Sequence, residues 1–186
     1  MLKNMLKEHT IPKVTFEKPF TVMNKKYLVL LSFMLFASAI VHAQSIKFGD
    51  LVYLATLNND AAYSTLKQAG AFKQDYSENI NGYDMEFFTN RGAKPNTERI
   101  TTGAYTKLYN GTILRTLDYT STDVQNLLNM ISQAKRYGME MQFRGEDDAN
   151  NIYLFSNSFY FVSIYVRRDQ TSGLVEIKQK EYMDVD

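Results

Sequence analysis

The sequence has no cysteine and no tryptophan, and its two histidines, His9 and His42, both lie in the first quarter of the chain. Without cysteine there are no disulfides, no thiolate nucleophile and no lipid-acceptor residue of the bacterial lipoprotein kind. Proline is nearly as scarce, with Pro12, Pro19 and Pro95 the only three among 186 residues. Neither sign of charge is in excess, since 21 Lys and Arg face 20 Asp and Glu. That balance lacks the basic surplus with which proteins displace counterions from nucleic-acid phosphate. Walker, G-x-G-x-x-G and G-x-S-x-G patterns are also missing.

One long hydrophobic run stands out. Lys25 and Lys26 precede Tyr27–Val41, fifteen residues without a charge, and Ala39, Val41 and Ala43 supply small or apolar side chains ahead of Gln44. This is the basic, apolar and small-residue order of a secretory signal. The run is short for a membrane span, which needs roughly 20 apolar residues. The expectation is a signal peptide over 23–43, cleaved between Ala43 and Gln44, with an uncleaved anchor as the alternative. Residues 1–22 show no core-forming periodicity, and a signal reads more naturally from Met23. They are therefore set aside as an over-called start or an extended leader.

Cleavage would remove both histidines, six of the 21 basic residues and two of the 20 acidic ones, leaving 15 against 18 and a net charge near −3. A chain without imidazole or thiol has no Ser-His-Asp or Cys-His machinery and no ordinary zinc site. Carboxylates, Lys, Tyr, Ser and Thr remain for any catalysis. No cofactor is expected.

The 143 residues from Gln44 to Asp186 suit a single domain that buries a core without staples. Ser45–Asn58 spaces Phe48, Leu51, Leu54 and Leu57 by three, which suggests a short helix, although the same letters would serve a strand. Asn59 or Asp60 as N-cap, Ala62, Leu66 and Ala69 on one face and Gly70 as terminator predict a second helix. Asn81-Gly82 between Phe72–Ile80 and Tyr83–Thr89, and Asn110-Gly111 between Arg99–Tyr109 and Thr112–Tyr119, predict two hairpins. The clearest helix is Asp123–Tyr137. Thr122 and Gln125 form a capping box, Val124, Leu127, Leu128 and Ile131 the apolar stripe, and Gly138 the stop.

Alternation of Met139, Met141 and Phe143 with polar residues, then Asn151–Phe155, Phe159–Arg168 and Leu174–Lys180, predicts further antiparallel strands. Phe159–Val166 is apolar on both faces, as a central strand would be. The fold class is therefore α+β in two layers, helices on one face of antiparallel sheet, as pseudo-duplicated helix-plus-β-meander halves of about 44–119 and 120–186. In element order the chain resembles secreted beta-lactamase-inhibitor-type proteins and other small periplasmic two-repeat modules. That resemblance implies a shared layout and assigns no functional residue.

Twelve of the 13 tyrosines follow the signal segment. Tyr105, Tyr119, Tyr153, Tyr160 and Tyr165 are the residues of a candidate aromatic recognition face, since tyrosine offers large contact area at low entropic cost. Cross-strand packing would use the same residues. Glu146, Asp147 and Asp148 in the run Gly145–Asn151 form a weak calcium candidate, though the order does not match an EF-hand and a solvated turn accounts for it. Asp84, Glu86, Asp118, Glu140 and Glu176 fall in expected strands, but no spacing singles out a catalytic pair.

The function expected is an exported, non-catalytic binding or interaction module of the bacterial periplasm or cell exterior. Its partner would be a protein or envelope component, or a second copy in a homodimer, with membrane contact only through the signal. The alternatives are a carboxylate-dependent hydrolase of envelope polysaccharide and a membrane-tethered domain.

Overall fold

A computed structural model describes residues 46–91 and 97–181. The expected signal over 23–43, its cleavage site, the leader 1–22 and Pro95 lie outside the described residues. Among those described, no helix is long and apolar enough to cross a membrane.

The elements follow one another as α1 (Phe48–Thr56), α2 (Asn59–Ala69), β1 (Phe72–Ile80), β2 (Tyr83–Asn90), β3 (Glu98–Lys107), β4 (Ile113–Ser121), α3 (Val124–Arg136), β5 (Glu140–Glu146), β6 (Asn150–Ser156), β7 (Tyr160–Arg167) and β8 (Gly173–Gln179). All eight strands make one antiparallel sheet in the order β1-β2-β3-β4-β8-β7-β6-β5. Each half is a four-stranded meander, and the two meet where the last strand of one pairs with the last strand of the other. The helices lie on a single face, so the architecture is two-layer α+β with duplicated halves.

The local chemistry explains most boundaries. Asp50 in the first turn of α1 accepts the Lys47 backbone N–H at 3.0 Å, relieving a donor that no helical carbonyl can reach. The Phe48 N–H is met by Gln133 Oε1 of α3 at 2.9 Å, which fixes the two helices to each other. The N-cap of α2 is Asn58, one residue before the expected pair, and its side chain accepts from the Ala61 N–H at 2.8 Å. Gly70 ends α2 at φ 67° as foreseen, while Ala69 is exposed.

At the start of α3 the cap is Asp123, which accepts the Asn126 N–H at 3.1 Å. Thr122 Oγ1 instead accepts from the Thr97 N–H at 2.9 Å, so the Thr122–Gln125 box does not form. The helix is rolled relative to the expected stripe. Asn126, Leu127, Met130 and Ala134 face the sheet, and Leu128 is 40% exposed.

Of the two Asn-Gly turns, only the first has positive φ at both central residues, 54° at Asn81 and 85° at Gly82, matching a two-residue type I′ loop. The second is a three-residue loop. The Leu108 N–H donates to Thr112 and the Gly111 N–H to Leu108, with Gly111 alone left-handed at φ 87°.

The core lies between the helices and the covered face of the sheet. Phe48 and Leu51 of α1 and Leu127 and Met130 of α3 pack with Ile100, Leu117, Tyr119, Val162, Ile164, Val175 and Ile177, all of them buried. Three register shifts interrupt the alternation, between Gln74 and Tyr76, between Ala104 and Thr106, and between Met141 and Phe143. Two fall on the edge strands β1 and β5, where a bulge discourages pairing with another chain.

Candidate binding face

Residues opposed across an antiparallel pair share a face, so the buried Val162, Ile164 and Val166 fix the parity of the whole sheet. Their alternates on β7 are Phe161, Ser163 and Tyr165, opposed by Lys178, Glu176 and Leu174 on β8. Those in turn face Thr116, Asp118 and Thr120 on β4, and then Gly103, Thr101 and Arg99 on β3. Met85, Phe87 and Thr89 continue the rows on β2, and Tyr76 and Glu78 on β1. No helix among the described residues covers this side.

The open face has an apolar cluster on each flank. On one, Tyr76 and Phe87 stack with ring centroids 4.3 Å apart and planes 14° from parallel, beside Met85. On the other stand Ile152 and Leu154 of β6, Phe143 of β5, and Phe161 and Tyr165 of β7. Phe161 is 56% exposed, and the Lys180 ammonium lies 4.2 Å from its ring centroid. The bulge between Met141 and Phe143 brings Phe143 here. One extra residue reverses the alternation, so Phe143 opposes Leu154 rather than following Met141 inward, and it is 49% exposed.

Between the flanks runs a polar centre at the seam of the two halves. Asp118 and Glu176 oppose each other directly on β4 and β8. Glu176 is ion-paired with Lys178 at 2.6 Å, whereas Asp118 Oδ1 is buried with no hydrogen-bond partner among the described residues. Burial first, and then the Glu176 charge, push the Asp118 carboxyl up to about 6, against a smaller opposing pull from Lys178. The sequence names both carboxylates; pairing them takes the register.

The five tyrosines proposed from sequence do not share this face. Tyr165 is on it, whereas Tyr119, Tyr153 and Tyr160 are not. Tyr119 is fully buried beneath the helices, its hydroxyl donating to Glu98 Oε1 at 2.7 Å and accepting from Asn126 Nδ2 at 3.1 Å. Loss of water there raises its pKa well above the ordinary phenol value. Tyr153 and Tyr160 point to the covered side and pack against the core. Tyr105 occupies the β3 bulge, where its hydroxyl donates to the Gln179 carbonyl. Tyr76, Phe87, Phe143 and Phe161 carry the aromatic face instead.

The acidic run closes on itself. Asp147 accepts from the Ala149 N–H at 2.8 Å and from Asn150, and these amides hold its carboxyl below the usual range. Among the described residues no three acidic or imidazole side chains converge as a metal site would require.

No protein family, curated protein or solved structure matches the chain.

Proposed function

We propose that the chain is an exported binding module that docks a protein or envelope component on the helix-free face of its sheet. The observation that carries this reading is the one-sided cover. Two strands of the first half present Tyr76, Met85 and Phe87 on one flank and three of the second present Phe143, Leu154 and Phe161 on the other, where an unpartnered domain would place polar side chains. Export is supported by the run Tyr27–Val41 and the small residues ahead of Gln44.

The test is the double variant Phe87→Ser, Phe161→Ser. Both rings are on the open side, so the thermal midpoint is expected to stay within a few degrees of wild type. Crosslinks formed by the native chain in its own envelope, or a dimer in sedimentation, are expected to disappear. Unchanged crosslinks and mass would sink the reading. An intact mass matching Gln44–Asp186 would support cleavage, and a detergent-dependent chain keeping Met23–Ala43 would make the protein a tethered one.

A second reading, a carboxylate-dependent hydrolase of envelope polysaccharide, is favoured by the opposed pair Asp118 and Glu176 with one raised pKa. Neither residue lines the best-formed concavities of the described surface, so the pair lacks the cleft that a hydrolase of this kind uses to hold its substrate there. Polysaccharide turnover lost in Asp118→Asn would favour hydrolysis instead.

A further inference from the structure

One end of the open face sinks into a shallow concavity of about 550 Å³. Its floor is a single cross-strand row running through both halves: Arg99 on β3 opposes Thr120 on β4, Thr120 opposes Leu174 on β8, and Leu174 opposes Tyr165 on β7. Arg167 and Ser172 complete it, and no carboxylate lines it. We infer that this concavity binds an anionic saccharide, through a carboxylate or phosphate group held by Arg99.

Three features of the lining converge on that class of ligand. The Arg99 side chain is exposed and makes no ion pair or hydrogen bond with any described residue, so its planar fork is free for a bidentate anion. Arg167, by contrast, is held by Asp169, which takes Nε at 3.1 Å and Nη2 at 2.7 Å. It is thereby fixed in place with Nη1 unspent and much of its charge already answered. The site thus suits one anionic group rather than a polyanion.

The hydroxyls of Thr120 and Ser172 have no partner among the described residues and can both donate and accept, as sugar hydroxyls require. Ser121, in the same lining, is spent on the Asp123 N–H at 2.9 Å. Leu174 and the Tyr165 ring lie side by side as an apolar strip, which fits the C–H face of a pyranose. The volume is within the roughly 300–1,000 Å³ of small-ligand sites and suits one or two sugar rings.

The inference goes beyond docking on the aromatic flanks and does not need it, because Arg99 and Phe161 can be tested apart. Amide chemical-shift titration of the protein with digalacturonate, glucose 6-phosphate and maltose separates the two anion sources from a neutral sugar. Saturable shifts at Arg99, Thr120 and Ser172 are expected with one or both charged sugars, with maltose at least about tenfold weaker. Arg99→Gln is expected to weaken the charged sugar by about tenfold, while Arg144→Gln, which removes an exposed guanidinium from the other side of β5, leaves it unchanged. Equal binding of maltose, no binding of either charged sugar, or an Arg99→Gln protein that binds like wild type would each overturn the inference.

Discussion

Asp118 faces Glu176 across the seam with one carboxyl oxygen unbonded, and its pKa of about 6 sets how the fold responds to pH. A carboxyl whose pKa is higher folded than unfolded binds its proton more tightly in the native state. Its contribution to stability is therefore whole at low pH and is lost as pH rises from the unfolded value near 3.8 to about 6. Other carboxylates act in the opposite sense, Asp169 above all, which the Arg167 guanidinium holds far below the usual range. The effect of Asp118 is isolated by comparing wild type with Asp118→Asn. The variant is expected to match wild type near pH 4 and to exceed it by about 1–2 kcal/mol at pH 7.5, the rise to about 6 being discounted for partial solvent screening. Urea unfolding at the two pH values measures this, and an equal difference at both would show that Asp118 is not charged against its surroundings. Retaining such a group at the centre of an open face is a local cost of the kind found at functional sites rather than in stabilising cores.

In α3 the sequence and the structure agree on the element and disagree on its roll, and the disagreement can be measured. Asp123→Ala is expected to cost about 1 kcal/mol because it orphans the Asn126 N–H, whereas Gln125→Ala should cost almost nothing. Met130→Ala, which opens a cavity beneath the helix, is expected to cost about 2–5 kcal/mol, against well under 1 kcal/mol for the exposed Leu128→Ala. The stripe misled at Leu128, apolar yet 40% exposed, while Leu127 is buried and Val124 and Ile131 lie at the margin of the core. The true contact line admits Asn126, whose amide meets Ile46 and the Tyr119 hydroxyl. The strands tell the same story. Phe72–Ile80 and the Asn81-Gly82 turn were legible because strand propensity and turn chemistry are local. Which aromatics share the open face was not, since that depends on long-range register and on bulges. One inserted residue after Met141 was enough to send Phe143 outward. On β7, where both alternates are apolar, only helix cover distinguishes Ile164 from Tyr165.

The two meanders look separable on paper, yet the helix layer binds them into one unit. α1 belongs in sequence to the first half, but it packs on β4 and β8 alike, and on α3 as well. Phe48 and Leu51 are fully buried there, and the Phe48 amide is bonded to Gln133 of the second half. The β4–β8 pairing adds six opposed residue pairs, from Thr116–Lys178 to Ser121–Gly173, so either half alone would expose a long central strand as an edge. Damage to α1 must therefore be felt in both halves. Leu51→Ala is expected to cost about 2–5 kcal/mol. In native-state hydrogen exchange the amides of β3 and β4 and those of β7 and β8 should then lose protection by the same free energy, as one cooperative unit requires. Undiminished protection in β7 and β8, with loss confined to the first meander, would instead make the halves independent domains. The open face and the concavity, both built from strands of the two halves, would then lose the rigid frame that a binding surface needs.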